Sequence, residues 1–326
     1  MIRNLLSFSR RRLAAITLLS ALAPLWAQTA ATTPPAAACP PVVTEPTPEQ
    51  MKAAHARARD HGALWRISRD GRDSWLYGSL HIGKLEWSMP GPRLTRALRE
   101  SDSVALELDL GDPATAEQML RPTLGPAPAL PSALAQRLAR QRTLACVPDA
   151  LSTLHPILQV SALSMLDARW IGLDPGFGVE HVLTGFARST GRPLLALETP
   201  AIQLQALLPS QADESLRMLE QGLSQLESGL SRRVLGRLAQ AWADGDLNTV
   251  STYEDWCDCV SGAADREALH RLNDARNPYL ADRIASLHGE GRRLFAAVGL
   301  LHMTGEQALP RLLAERGFNV ERVPLR

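Results

Sequence analysis

The chain has 326 residues and a formal net charge of +1, with 45% hydrophobic and 21% charged residues. These values are ordinary for a globular protein that can bury a sizeable core. No block of Lys or Arg follows the first dozen residues. The composition therefore excludes the electrostatic footprint expected of a protein that binds nucleic acid or an anionic membrane surface.

The N-terminus has the pattern of a secretory signal peptide. Arg3 and the run Arg10-Arg11-Arg12 precede an apolar stretch over residues 13–27, and small residues follow it. The stretch is short for a membrane span, so we expect cleavage near residue 27 and no stable span in the mature protein. Sec export to the periplasm is the default expectation, although the three arginines also permit a twin-arginine signal.

The next segment is rich in Ala, Thr and Pro up to about residue 48 and has little hydrophobic material to pack. Such a composition is typical of an extended linker. We place the linker at residues 28–60 and a single folded domain at residues 61–326.

Four cysteines follow the predicted signal peptide: Cys39, Cys146, Cys257 and Cys259. An even number of cysteines in an exported chain predicts disulfides. We expect a bridge from Cys146 to Cys257 or Cys259, with the exact pairing open. Cys257 and Cys259 can also be read as metal ligands, but zinc sites usually use Cys-x-x-Cys pairs, and no second pair exists.

Two strand-like runs, residues 64–68 and 74–78, flank turn residues and predict a β-hairpin. The second run ends in Gly78-Ser79-Leu80-His81. Because the glycine lets the backbone turn where the strand stops, His81 is expected at the carboxyl end of its strand. Ligands of α/β folds bind at that edge of the sheet.

The same pattern recurs near the C-terminus, where an apolar strand over residues 294–298 leads into Gly299-Leu300-Leu301-His302. If the two strands are neighbours, the imidazoles of His81 and His302 meet at one point. Two imidazoles at one point build either a metal site or an acid/base pair.

The remaining pattern alternates helices with short strands, which is typical of an α/β fold whose N- and C-terminal parts share one sheet. Leucine spacing over residues 212–243 fits either one long helix or a helical hairpin. Further helices are predicted over residues 92–100, 130–144, 158–169, 179–189, 269–287 and 307–315, and strands over residues 103–110, 194–197 and 317–323.

Glu107 and Asp109 lie on one face of the predicted strand over residues 103–110. An acid in an apolar strand costs free energy unless it is paired or bound to a cation, so Glu107 is a candidate site residue. Asp109 stands beside Gly111 and is interpreted as a loop cap.

The order of these motifs resembles the TraB/GumN family, which is related to the Tiki metalloproteases and more distantly to erythromycin-esterase-like and ChaN-like proteins. The resemblance spans roughly residues 62 to 325. It rests on Trp65-Arg66-Ile67, Tyr77-Gly78-Ser79-Leu80-His81, Leu106-Glu107-Leu108-Asp109, Gly172-Leu173-Asp174-Pro175, Gly178-Val179-Glu180, Leu197-Glu198-Thr199, Arg276-Asn277-Pro278 and Ala297-Val298-Gly299-Leu300-Leu301-His302.

The resemblance implies an α/β fold with a mixed central sheet and helical insertions, and a metal-dependent peptidase. It places His81, Glu107 and His302 as ligands of a divalent metal, Mn, Co or Zn. Two imidazoles and one carboxylate suit such an ion and leave room for an activated water.

The resemblance also implies a set of catalytic or supporting residues: Glu107, Glu180, Glu198, Arg276 and Asn277. Glu180 or Glu198 can serve as the general base. Arg276 can hold an oxyanion or pair with a carboxylate of the site, and Asn277 can equally cap a helix.

The expected function is an exported metal-dependent hydrolase that acts on a peptide or small-molecule substrate, with peptide bonds favoured. The alternative is a non-catalytic periplasmic protein that binds haem or a peptide in the same cleft, with His81 or His302 as a haem ligand. Ser79 is disfavoured as a nucleophile because no Gly-x-Ser-x-Gly motif surrounds it. The bulk of Leu301 is expected to narrow the pocket.

Overall fold

The computed structural model describes residues 39–120 and 129–325. The predicted signal peptide and the first part of the predicted linker lie outside these residues. Across the described ranges, no helix is both long enough and apolar enough to cross a membrane.

Within the described residues the strands form one mixed six-stranded sheet in the order β4-β3-β5-β2-β1-β6. Strand β1 is antiparallel to both of its neighbours, and the other pairs are parallel. The sheet confirms the predicted α/β class. The strands are β1 Ala63–Arg69, β2 Arg72–Ser79, β3 Ser103–Leu106, β4 Leu194–Ala196, β5 Leu294–Gly299 and β6 Asn319–Val323.

Helices connect the strands and supply the insertions between β3 and β5. The α-helices are α1 Pro48–Ala56, α2 Pro92–Glu100, α3 Pro113–Leu120, α4 Ser132–Leu144, α5 Pro156–Asp167, α6 Val179–Ser189, α7 Pro200–Leu207, α8 Ala212–Glu227, α9 Leu230–Asp244, α10 Leu247–Ser251, α11 Tyr253–Trp256, α12 Ala263–Leu272, α13 Asn277–Gly289 and α14 Leu309–Glu315. Short 3₁₀ turns cover Leu85–Trp87, Ala168–Ile171, Pro175–Phe177, Asp274–Arg276 and Leu300–Met303.

The main core lies on both sides of β2 and β5. Leu76 and Phe295 of these strands are fully buried and belong to one cluster with Leu98 of α2, Leu183 of α6 and Ile284 of α13. Burial of such side chains is the dominant favourable term in folding. It fixes the strands whose ends carry the two Gly-x-x-His motifs.

A second cluster packs the inserted helices against one another. Its buried members include Leu138 of α4, Leu163 of α5 and Leu223 of α8. The predicted stretch over residues 212–243 is a helical hairpin, because Gly229 adopts a φ of 69° between α8 and α9. This left-handed backbone favours glycine.

The prediction of one continuous helix over residues 269–287 is wrong, because the helix is interrupted within that range. Asn273 leaves helical geometry with φ −118° and ψ −81°, a 3₁₀ turn follows, and α13 begins at Asn277 with Pro278 in its first turn. Proline is favoured there because its missing N–H has no helical partner to lose. The break brings Arg276 and Asn277 towards the sheet.

The described part of the predicted linker, residues 39–60, contains an ordered helix. Thr47 and Gln50 form a reciprocal capping box at the start of α1. Asp60 accepts hydrogen bonds from the backbone N–H groups of Arg93 and Leu94 at the start of α2.

The cysteines form two disulfides, Cys39–Cys146 and Cys257–Cys259. The predicted bridge from Cys146 to Cys257 or Cys259 is therefore wrong. The Cys39–Cys146 bridge forms because the fold brings the chain before α1 to the end of α4. The spacing of cysteines in the sequence does not encode that contact. Cys257 and Cys259 are two positions apart in a loop and form a disulfide with each other.

His288 of α13 is a fully buried imidazole with every ring nitrogen bonded. Its Nε2 donates to the Arg69 carbonyl at 3.0 Å, and its Nδ1 accepts from the Ser74 hydroxyl at 2.9 Å. That hydroxyl in turn accepts from the Leu294 N–H. Burial disfavours the charged imidazolium and, with the nearby Arg72 and Arg69 charges, lowers the pKa of His288.

Acidification is expected to destabilise the fold through His288. Since its folded pKa lies below the unfolded value of about 6.5, its contribution is complete above that pH and is lost as pH falls towards the folded pKa. Urea denaturation at pH 7.5 and 5.5 checks this. His288→Gln should cost about 1–3 kcal/mol at pH 7.5 and show a smaller loss on acidification than wild type.

His270→Gln is the matched control, because His270 is exposed on α12. This variant should unfold like wild type at both pH values. An unchanged pH dependence in His288→Gln would contradict the assignment.

Candidate functional site

The two Gly-x-x-His motifs lie side by side in the sheet. Strands β2 and β5 are parallel neighbours, and their register pairs Gly78 with Val298 and Ser79 with Gly299. The structure therefore brings His81 and His302 to the same carboxyl edge of the sheet, as the two motifs predict.

The glycines of the two motifs have different surroundings: Gly78 has no room for a side chain, whereas Gly299 borders an open point. A Cβ on Gly78 would lie 2.6 Å from Leu300 Cδ1, so the glycine lets the second motif pack on the first strand. A Cβ on Gly299 would lie 3.4 Å from Glu107 Oε1, 3.6 Å from His302 Cδ2 and 3.8 Å from His81 Nε2. The three residues predicted as a centre thus surround one open point.

His81 is held by Glu180, which lies in the first turn of α6. The Glu180 Oε1 atom is 3.1 Å from His81 Nδ1 and accepts a hydrogen bond from the Ser79 hydroxyl at 2.5 Å. The Glu180 charge raises the pKa of His81 to about 9. His81 is 61% exposed, lines the cavity described below and is mainly an imidazolium at neutral pH.

Arg276 joins two carboxylates beneath this point. Its Nη2 lies 2.5 Å from Glu107 Oε2, and the same guanidinium donates to both oxygens of Glu198, with Nε at 2.9 Å from Glu198 Oε1. Gln203 of α7 donates to Glu107 at 3.1 Å and to Glu198 at 3.2 Å. Of the two roles predicted for Arg276, the structure shows the carboxylate pairing.

Glu107 remains ionised in this setting. Burial opposes its charge, but the neighbouring His302, Arg276 and His81 and the Gly299 N–H outweigh burial and lower its pKa to about 2. The Gly299 N–H donates to Glu107 Oε1 at 2.8 Å. Both carboxylate oxygens therefore accept hydrogen bonds from the protein.

His302 is buried and neutral. Burial, together with the Arg276 charge, lowers its pKa to about 4. Its Nδ1 lies 2.6 Å from Asn277 Oδ1, and the Asn277 amide donates to the Gln307 carbonyl at 2.8 Å, which fixes the amide orientation. Nδ1 therefore carries the proton. Nε2 presents its lone pair, with Arg276 Nη1 at 3.4 Å.

A cavity of about 790 Å³ opens above these groups. His81, Glu107, Glu180, Arg276 and His302 line it, whereas Glu198 and Asn277 lie behind them and act through Arg276 and His302. Its volume falls within the range of roughly 300–1,000 Å³ for small-molecule sites.

Sequence reasoning missed Gln203 and the contact of Ser79 with Glu180. No motif marks Gln203, which faces the carboxylates only because α7 starts directly after Glu198. Asp109 accepts from the Gly111 N–H at 2.9 Å, as its interpretation as a loop cap predicts, and also pairs with Arg188.

The donor set as arranged does not fit a divalent ion. Among residues 39–120 and 129–325, no three His, Cys, Asp or Glu side chains are placed to hold a metal together. Both oxygens of Glu107 accept from protein donors, and His302 Nε2 faces a guanidinium. As arranged, these donors are therefore engaged by protein partners.

Comparison with known proteins gives the family of the chain. Residues 63–322 match the TraB/PrgY/gumN family. The chain is 24% identical over 259 residues to the uncharacterized protein YbaP of Shigella flexneri, covering 74% of this chain and 88% of that protein. It is 24% identical over 281 residues to the uncharacterized protein YbaP of Escherichia coli strain K12, covering 77% and 96%. No solved structure matches the chain. Since the family match covers most of its length, the chain belongs to the TraB/PrgY/gumN family.

Proposed function

We propose that the protein is a hydrolase that cleaves a carboxylic amide or ester at the open point beside Gly299. The carrying observation is that the imidazoles of His81 and His302 meet there with the Glu107 carboxylate, and that a carboxylate faces Nδ1 of His81 whereas an amide oxygen faces Nδ1 of His302. Titratable groups whose surroundings push their pKa values apart are the usual sign of an acid and a base.

In the proposed reaction, a water replaces Arg276 Nη1 at His302 Nε2, gives a proton to that nitrogen and bonds through its oxygen to the substrate carbonyl carbon. The carbonyl electron pair moves onto oxygen, and the His81 Nε2–H donates to the resulting oxyanion. When that pair returns, the bond from carbon to the leaving nitrogen or oxygen breaks, and His81 gives its proton to the leaving group. His302 then releases its proton to solvent, and His81 takes one up, which restores both rings. The products are a carboxylic acid and an amine or alcohol.

Asn277 and Glu180 are positioning residues in this proposal. Asn277 keeps the lone pair of His302 on Nε2, and Glu180 keeps the proton of His81 available at Nε2 by binding Nδ1. Peptide bonds are the amides that the family resemblance favours. Export to the periplasm belongs to the same proposal and rests on the N-terminal sequence.

Gly299→Ala is expected to fold and to lose activity. The added methyl makes ordinary contacts of 3.4–3.8 Å, and the φ of −49° suits alanine, but it fills the point where a substrate carbonyl would lie. With p-nitrophenyl acetate and a fluorogenic peptide as probes, we expect a loss in kcat/KM of about 100-fold or more, with wild-type circular dichroism.

Gly185→Ala is the control, because Gly185 of α6 has open space at its Cβ. It should keep full activity and gain about 0.5–1 kcal/mol of stability. If Gly299→Ala turned over the probes at the wild-type rate, the proposed reaction centre would be contradicted. His81→Gln and His302→Gln should each lose about 100-fold to 10,000-fold.

A divalent metal held by His81, Glu107 and His302 is the second candidate. One observation favours it. Nδ1 of His81 faces Glu180 and Nδ1 of His302 faces Asn277, and metal-binding histidines likewise donate from their second ring nitrogen to an acceptor. Such an ion, when bound, would supply an activated water. Binding requires His81 to lose its proton and Glu107 to release Arg276.

Elemental analysis of the mature protein after supplementation with Mn, Co and Zn tests the metal centre. Stoichiometric metal in wild type that is lost in His81→Ala, Glu107→Ala and His302→Ala would establish it, and His270→Ala should retain the metal. Wild type without metal would reject this candidate.

A non-catalytic binding protein remains the rival function, with haem or a peptide in the same cavity. A Soret band on the purified protein would favour haem and count against the hydrolase. Turnover of either probe that Gly299→Ala abolishes would exclude the rival.

A further inference from the structure

The cavity has a polar end and an apolar wall. His81, Glu107, Glu180 and His302 form the polar end, and the apolar wall includes leucines of two helices. These leucines are Leu235 and Leu238 of α9 and Leu269 and Leu272 of α12.

Each pair of wall leucines is three residues apart and therefore shares one face of its helix. Leu238, Leu269 and Leu272 are half-buried. They belong to none of the three packed clusters found among the described residues. Their free surface is presented to the cavity, so these side chains are available to a ligand rather than used by the core.

The chemistry of this wall separates two kinds of ligand. A peptide carries an N–H and a C=O in every residue, about every 3.3–3.6 Å when extended, and buried groups without partners cost free energy. Leucine side chains offer no such partners. An alkyl chain requires none and gains free energy for every methylene that it buries.

Polar side chains elsewhere in the lining are mostly engaged. Arg188 pairs with Asp109, and the Asn273 amide donates to the Leu269 carbonyl. Thr184 and His181, on one face of α6, are further polar members of the lining. Together with Tyr253, whose hydroxyl lies 3.2 Å from Cys259 Sγ, they are fewer than a peptide running through the cavity would require.

We propose that this cavity binds an unbranched aliphatic acyl chain, with the acyl carbonyl at the polar end and the chain along α9 and α12. The substrate class is then an acyl amide or acyl ester. The cleavage part rests on the proposed hydrolase function, whereas chain binding does not.

Chain binding is tested first without turnover, by titrating His81→Ala with octanamide and acetamide in a calorimeter. Octanamide should bind and acetamide should not. Leu238→Glu in the same background should abolish octanamide binding, because it places a charge in the apolar wall. Leu144→Glu, at a partly exposed leucine outside the cavity, should bind octanamide as the parent does.

Chain preference is tested with p-nitrophenyl esters of two, four, six and eight carbons. In the wild type, kcat/KM should rise by up to about fourfold per methylene, the value for full burial. Leu238→Glu should flatten this series, whereas Leu144→Glu should keep the wild-type series.

The outcomes distinguish the two proposals. Octanamide binding without ester or peptide turnover would keep the acyl site and reject the hydrolase. Turnover of the acetate ester without octanamide binding would support the hydrolase and overturn the acyl site. The same result would follow if kcat/KM rose with chain length in Leu238→Glu as it does in wild type. Cleavage of unacylated peptides at the rate of their octanoylated forms would also overturn it.

Discussion

The site depends on one buried ion cluster, in which the Arg276 guanidinium holds the carboxylates of Glu107 and Glu198 together. The Glu198 side chain is fully buried and that of Glu107 is 10% exposed, so neither charge is tolerable without its partner. Because the guanidinium is always charged, it offsets one of the two carboxylate charges at any pH. Its fork contacts both carboxylates at once, which Lys could not reproduce with a single point charge.

This cluster also ties separate parts of the chain to one edge of the sheet. Glu107 follows β3, Glu198 follows β4, and Arg276 lies in the turn before α13. The Gly299 N–H at the end of β5 binds the same Glu107. The carboxyl ends of three parallel strands therefore meet through charge as well as through backbone pairing. This arrangement explains how a point beside Gly299 stays open without collapsing.

The sequence predicted those features of the fold that local pattern dictates. The β1–β2 hairpin and α6 agree with their predicted positions, because apolar periodicity and turn residues determine both. The break at Asn273 was missed because apolar spacing continues through it, and Pro278 was the available signal. The disulfide pairing was missed because it depends on where the chain before α1 lies in space. For the site, the motifs place His81 and His302 correctly at the sheet edge, whereas Gln203 has no sequence signal at all.

What the motifs cannot encode is the difference between their two histidines. The Gly-x-x-His motif determines where each imidazole lies. The partner at Nδ1 and the degree of burial determine whether the ring is protonated or neutral. A carboxylate faces His81 at the cavity and favours the imidazolium, whereas an amide faces His302 in the buried interior and favours the neutral ring. Burial and the Arg276 charge add to the preference of His302 for the neutral ring. The chemistry of this edge is therefore specified by α6 and α13, and the strands supply only its position.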